Sequence, residues 1–95
     1  MMSKHPAVRV TEVEVLRDRI VRVRFDDGAT TERDLAPLLT GPVFEQIRVD
    51  ESAFHEVAVD TAFGVITWPN GADVDAELLR YDDLWGQAIA LARPA

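Results

Sequence analysis

The chain has 95 residues, a net charge of −7 and no cysteine. This length fits one domain with one core, with no room for a deep enclosed active site. An apolar fraction of 47% excludes a disordered chain, and the lack of cysteine excludes disulfides, thiol catalysis and cysteine-bound zinc. No stretch has the composition of a signal sequence or of a membrane span. We therefore expect one cytoplasmic domain over residues 1–95, with residues 1–7 as a flexible tail and no membrane contact.

Charge is distributed unevenly along the chain. Residues 1–25 hold six basic and three acidic side chains, whereas residues 26–95 hold four basic and fourteen acidic ones. Two interpretations are open: the two parts neutralise each other in the fold, or an acidic face remains for a basic partner. The acidic balance disfavours nucleic acid as a partner of this domain alone, because phosphates would be repelled.

Alternating apolar and charged residues predict an N-terminal three-stranded antiparallel meander. The first strand covers residues 8–15, and its phase slips near Thr11, which indicates a β-bulge. The second strand covers residues 20–25. The turn Asp26-Asp27-Gly28 then leads into a weaker third strand over residues 29–34.

The register of the first two strands follows from matching side chains across the pair. A three-residue loop over residues 17–19 sets Val13 opposite Val23 and Glu14 opposite Arg22. A two-residue loop would put a valine opposite each charge and move the apolar row off its face. The sequence therefore favours the three-residue loop.

The same parity fixes the third strand. Glu32 comes to lie beside Arg22, which predicts a Glu14–Arg22–Glu32 ladder of charges. Arg33 then points to the apolar face, where we expect its stem to be buried and its head to reach water.

Short helices and a second hairpin follow the meander. Two short helices are predicted over residues 35–39 and 43–47, with Asp34 capping the first and Pro42 near the start of the second. A turn at residues 50–52 precedes strands over residues 55–59 and 65–68.

The last segment predicts one helix that Asp73 or Asp75 caps and that runs through a C-terminal helical extension, residues 82–95. The fold class is therefore α+β. Its elements are a three-stranded antiparallel meander, two short helices, a second β-hairpin and a C-terminal helix packed on the sheet.

One segment looks like a family signature, Trp68-Pro69-Asn70-Gly71-Ala72-Asp73. It follows Val23-Arg24-Phe25-Asp26-Asp27-Gly28, the pair Asp34-Leu35, Phe54 and Val57-Ala58-Val59-Asp60. In order and spacing these pieces resemble the small bacterial family called domain of unknown function 2442, over about residues 8–81. We interpret Trp68, Pro69, Asn70, Gly71 and Asp73 as structural, because Asn-Gly forms a turn and Asp caps the helix.

The resemblance implies a small α+β domain without assigned activity, catalytic residues or cofactor. Some members are encoded beside another small protein in a pairing that looks like toxin–antitoxin modules. This chain departs from the family pattern in two places. Residues 82–95 continue beyond the usual end, and Arg33 stands where the pattern has an apolar residue.

The usual chemical constellations are missing from the sequence. His5 and His55 lack a second ligand at zinc spacing, and neither Ser3 nor Ser52 lies in a nucleophile elbow. Adjacent acids fit helix caps and solubilising charge, and the acids after Gly71 would repel a phosphate at the helix start. We therefore expect no catalytic residue, no metal and no cofactor.

The best functional candidate is the C-terminal helix. Leu84, Ala88 and Leu91 fall on one stripe, and a neighbouring stripe holds Leu78, Trp85, Ile89 and Ala92. Either both stripes are buried, or the extension docks on a protein partner or a second copy of the chain. As partner-binding residues we select Leu84, Trp85, Ala88 and Leu91.

These patterns favour a non-catalytic protein-interaction module that binds a protein partner or forms a homodimer, and the resemblance implies that this module is the acidic partner in a toxin–antitoxin-like pair. A small accessory enzyme of unknown reaction is the alternative. A nucleic-acid-binding β-ribbon is the third interpretation, because arginines line the first hairpin. Acids interleave those arginines and no aromatic residue does, which makes base stacking unfavourable.

Overall fold

A computed structural model describes residues 5–92 of the chain. Its α+β architecture, with an N-terminal meander and a C-terminal helix, confirms the predicted fold class. One antiparallel sheet has the order β1-β2-β3, formed by Val10–Arg17, Ile20–Phe25 and Thr30–Asp34. The second has the order β4-β5-β6, formed by Ala58–Asp60, Val65–Thr67 and Asp73–Val74. The helical elements are a 3-10 helix (Ala36–Leu38), α1 (Pro42–Val49), α2 (Glu51–Phe54), α3 (Ala76–Arg80) and α4 (Asp82–Ala92).

The register of the first sheet is the predicted one. Val13 pairs with Val23 and Glu14 with Arg22. Arg22 also pairs with Glu32, and its guanidinium lies 3.2 Å from Glu14 and 3.6 Å from Glu32. The predicted charge ladder is therefore confirmed, and the apolar row of β2 lies on the buried face.

The ends of the first strand pair behave differently. The predicted bulge is confirmed, because the register shifts between Val10 and Glu12. The three-residue loop is wrong, because Arg17 still pairs with Ile20 and a second shift follows Val15. The turn is the two-residue Asp18-Arg19, with Asp18 at φ 47°. A second irregularity, instead of a longer loop, absorbs the odd residue.

The two predicted short helices differ in length from the prediction: the first is only the 3-10 helix Ala36–Leu38, and the second extends over Pro42–Val49. Asp34 accepts a hydrogen bond from Ala36 N–H (3.1 Å) at the start of the 3-10 helix. The predicted turn at residues 50–52 is instead the start of α2, which Asp50 caps by accepting from Ala53 N–H (3.2 Å). Phe54 ends that helix with its side chain fully buried.

The second sheet corrects the prediction in two ways. His55 lies in a turn, and β4 begins only at Ala58. Val57 and Val59 are half-buried. A third strand, β6, follows the Asn70-Gly71 turn and pairs with β5. Trp68 N–H donates to Ala72 O (2.9 Å) across this turn, so the Asn-Gly pair makes a hairpin and does not start the helix.

The predicted C-terminal helix is interrupted. Tyr81 has φ −103° and ψ 124°, an extended conformation that separates α3 from α4. α3 packs against β2 and β3, as predicted for the C-terminal helix, whereas α4 packs against α3 and the 3-10 helix. Asp75 precedes α3 at the cap position, but its side chain makes no cap hydrogen bond. Asp73 lies in β6.

One core lies between the two sheets and the helices. Its largest fully buried side chains come from every part of the chain before α4, namely Phe25, Phe54, Leu35, Leu39, Ile47, Ile66, Leu79, Val21 and Val23. The sheets meet where Arg9 Nη2 donates to the carbonyls of Thr61 (2.7 Å) and Ala62 (3.1 Å). Val10 N–H donates to Gly64 O (2.8 Å) beside them.

Candidate protein-interaction face

Arg33 holds the break between α3 and α4. Its Nε donates to Leu79 O at the end of α3 (2.8 Å), and its Nη2 donates to Asp82 Oδ1 at the start of α4 (2.9 Å). The guanidinium lies over the Trp85 ring, 5.3 Å from the centroid. The side chain is only 10% exposed, so the expectation that its head reaches water is wrong. In a continuous helix the Leu79 carbonyl would accept a hydrogen bond from a later residue of the same helix, but at the break it accepts from Arg33 instead.

The N-terminal segment ties down the same junction. His5 Nε2 lies 3.0 Å from Asp83 Oδ1, and Tyr81 Oη donates to Pro6 O (2.7 Å). Val8 N–H donates to Glu77 Oε2 (3.1 Å). The part of the predicted flexible tail before His5 lies outside the described residues.

A cleft of about 330 Å³ runs between α3 and α4. Its apolar lining is Leu78 from α3 with Leu84, Ala88 and Leu91 from α4. No residue of α4 is buried, and Leu91 is 87% exposed. Among the described residues, the polar ones that line the cleft are Asp75, Glu77 and Gln87.

A second cleft, of about 310 Å³, adjoins the first. It shares Asp75 and Leu78 with the first cleft and continues over Val74, Leu38 of the 3-10 helix and Phe44 of α1. The two clefts form one apolar surface, which we call the α3–α4 face. Its defining residues are Leu38, Phe44, Leu78, Leu84, Ala88 and Leu91.

The structure separates the four residues selected from the sequence. Leu84, Ala88 and Leu91 line the α3–α4 face, whereas Trp85 packs over Arg33 and against the core. Sequence reasoning had put Leu78 and Trp85 on one stripe, which holds only for a continuous helix. The break at Tyr81 changes the helix phase, and Leu78 instead joins the stripe of Leu84.

Two acidic side chains on the α3–α4 face differ from Asp27 in the turn after β2 of the first sheet. Asp73 and Asp75 are exposed, and within residues 5–92 neither forms an ion pair. By contrast, Asp27 pairs with Arg80 Nε (2.9 Å). The pKa of Asp27 lies below its usual value, because its carboxylate accepts from Ala29 N–H and faces the Arg80 guanidinium.

The signature segment makes contacts within the chain. Trp68 is 2% exposed, and its Nε1 donates to Phe54 O (2.9 Å). Asn70 Oδ1 accepts from Ala72 N–H (3.1 Å), and its Nδ2 donates to Val43 O (2.8 Å). Gly71 has φ 92°, a conformation that this turn requires and that glycine adopts without strain. Pro69 is exposed, and Asp73 lies on the rim of the α3–α4 face.

Two arginines of the first hairpin, Arg22 and Arg24, face acids. Arg24 lies 3.5 Å from Glu12, as Arg22 lies beside Glu14 on the same exposed surface of the sheet. Over residues 5–92, no group of three or more His, Asp or Glu side chains could hold a metal ion. No helix in that part of the chain is long and apolar enough to cross a membrane.

A comparison with protein families gives a match that covers most of the chain. A family described as "Protein of unknown function (DUF2442)" matches residues 10–83. Neither the curated proteins nor the solved structures contain a match. The matched region holds both sheets and α3 and ends at the second residue of α4, so most of α4 lies beyond it. The chain belongs to the DUF2442 family of proteins of unknown function.

Proposed function

We propose that this protein is a non-catalytic protein-interaction module that binds its partner through the α3–α4 face. The observation that carries the proposal is the exposed apolar side of α4, where Leu91 is 87% exposed on a helix without a buried residue. Apolar surface gains about 25 cal/mol for each Å² that leaves water. A contiguous patch of this kind is typical of a binding site.

The partner belongs to a two-protein unit like a toxin–antitoxin pair, in which this chain is the acidic member and works in the cytoplasm. The net charge of −7 supports this part of the proposal, together with the resemblance drawn from the signature segment. Opposite charge on the partner would speed the encounter of the two chains, and salt would weaken the effect.

Two leucines of α4 allow a test that leaves the core intact, because Leu91 is exposed and Leu84 is half-buried outside the core cluster. Leu91→Ser and Leu84→Ser are introduced separately into a tagged chain, and the partner is captured from the native host. Val49→Ser is the matched control, because Val49 is 65% exposed on α1 and does not line the α3–α4 face. Substitutions of exposed residues change the free energy of unfolding by about 0.5 kcal/mol or less. Circular dichroism checks that each variant stays folded.

We expect capture to fail with Leu91→Ser and Leu84→Ser and to persist with Val49→Ser. Equal capture by all variants would contradict the proposal. Light scattering of the purified chain adds a second readout, because a dimer that only the leucine variants dissociate would identify a homodimer through the same face.

A further inference from the structure

The α3–α4 face presents apolar side chains along two adjoining clefts. Leu84 and Leu91 are seven residues apart on α4, which is about 10 Å along the helix. Leu78 lies between this cleft and the one that reaches Phe44. Grooves of this form bind the apolar side of an amphipathic helix, whose anchors recur at i, i+3 or i+4, and i+7.

The rim of the groove carries one sign of charge. Asp73, Asp75 and Glu77 line the two clefts, and no basic residue does. Glu77 is occupied by Val8 N–H, but the carboxylate of Asp75 neither caps α3 nor forms an ion pair with any described residue. Carboxylates beside apolar surface favour a partner that brings positive charge to the edge of the groove.

A second copy of the chain fits this face poorly. A two-fold contact through the face would bring Asp73 and Asp75 of one copy toward the same acids of the other, and like charges disfavour such a contact. Arg22 and Arg24, on the exposed face of the first sheet, are already paired with Glu14 and Glu12.

We infer that the α3–α4 face binds an amphipathic helix of a partner protein, with apolar anchors in the groove and lysine or arginine beside them. The inference rests on the proposed function and adds the chemistry of the partner. The leucines of α4 supply most of the affinity, and Asp73 and Asp75 select for basic flanks.

The test uses the full chain and a displayed library of helical peptides of about 14 residues, long enough to fold on the groove. Apolar residues are fixed at i, i+3, i+4 and i+7, and the flanking positions vary among lysine, glutamate and glutamine. Peptides that still bind Leu91→Ser or Leu84→Ser are removed. The dissociation constants of the remaining peptides are then measured at low and high salt.

Two charge variants make a matched pair. The double variant Asp73→Asn with Asp75→Asn removes two charges from the face, and Asp18→Asn with Glu56→Gln removes two exposed charges that do not line it. We expect lysine-rich peptides to be enriched. The face variant should weaken their binding about three- to tenfold, as two exposed ion pairs would, and the control less than twofold.

The outcomes separate the two proposals. Leucine-dependent peptides with acidic or neutral flanks, or binding that the face variant leaves unchanged, would overturn the basic-helix inference while the proposed function stood. A library without any peptide that depends on Leu84 or Leu91 would count against both. A dimer of the free chain that Leu91→Ser dissociates would replace the partner helix with a second copy.

Discussion

The region before α4 and α4 itself are held in place by different forces. Every buried side chain among residues 5–92 precedes α4, whereas α4 contributes none. α4 is attached through the ion pairs of Arg33 with Asp82 and of His5 with Asp83, and through the half-buried Trp85, which packs against the core. Fully buried apolar side chains stabilise the domain before α4, whereas ion pairs and a partly buried tryptophan position α4. The comparison separates residues needed for stability from residues free to bind, and substitutions on each side can test it.

The largest expected effect is the loss of Trp68. Trp68→Ala should cost about 3–5 kcal/mol, as aromatic truncations in cores do, because the ring is 2% exposed and its N–H satisfies Phe54 O. A small domain has about 5–10 kcal/mol in total. In a urea titration, the variant should therefore already be close to its unfolding midpoint before any urea is added.

Trp85→Ala is the matched change on α4. Trp85 is half-buried, so we expect a loss of only about 1–2 kcal/mol. Equal losses for Trp68→Ala and Trp85→Ala would show that α4 belongs to the core and would remove the contrast between the two regions.

Arg33→Met should loosen α4 more than the sheets. The substitution removes the hydrogen bonds to Leu79 O and Asp82, and bonds of a charged group contribute about 1.5–3 kcal/mol. Hydrogen exchange should accelerate over residues 82–92 and change little in β2. Arg24→Met, which removes an exposed pair with Glu12, is the control, and uniform acceleration over the whole chain would contradict local loosening.

The ladder on the first sheet should matter less. Arg22→Gln breaks contacts to Glu14 and Glu32, but these side chains are about half exposed or more, and exposed pairs contribute under about 1 kcal/mol. Chemical denaturation should show a small shift of the midpoint with an unchanged slope. A larger loss would mean that the charges, and not the apolar row, carry the stability of this sheet.

The smallest effect concerns pH and Asp27. Folding lowers the pKa of this carboxyl from 3.8, first through Ala29 N–H and then through Arg80. Its contribution to stability is therefore complete above about pH 4 and is lost as pH falls through the lowered pKa. The melting temperature of the wild type should exceed that of Asp27→Asn at neutral pH, and this gap should close in acid.

Arg80→Gln tests the order of those two causes. Because the hydrogen bond from Ala29 N–H is the largest single cause, Arg80→Gln should keep part of the pH dependence that Asp27→Asn removes. A melting curve that loses all of it in Arg80→Gln would assign the effect to the ion pair instead.

Elements with a local signal were predictable from the sequence. Period-two alternation and opposite charges predicted the register of β1, β2 and β3, and Asp27-Gly28 and Asn70-Gly71 marked the turns after β2 and β5. β6 has two residues, too few to show a period. The break at Tyr81 was not predictable, because Arg33, which holds it, comes from a strand 46 residues before Leu79.

The candidate site was predictable only where it lies on one helix. The stripe of Leu84, Ala88 and Leu91 is visible from helical spacing and lines one cleft. Leu38 and Phe44 were missed because they join the face from the 3-10 helix and α1, and only the folded chain brings them beside Leu78. That Asp73 and Asp75 form no ion pair within residues 5–92 likewise depends on where the arginines lie in space.

Gly64 has a consequence for the order of folding. It has φ 68°, and a Cβ there would lie 2.7 Å from the Cβ of Arg9, so a side chain would push the two sheets apart. The hydrogen bond from Arg9 to Thr61 O spans 52 residues, and closing so long a loop costs entropy before any contact repays it. We expect the first meander to form early and the second sheet to dock late. Gly64→Ala should therefore accelerate unfolding far more than it slows refolding in stopped-flow measurements.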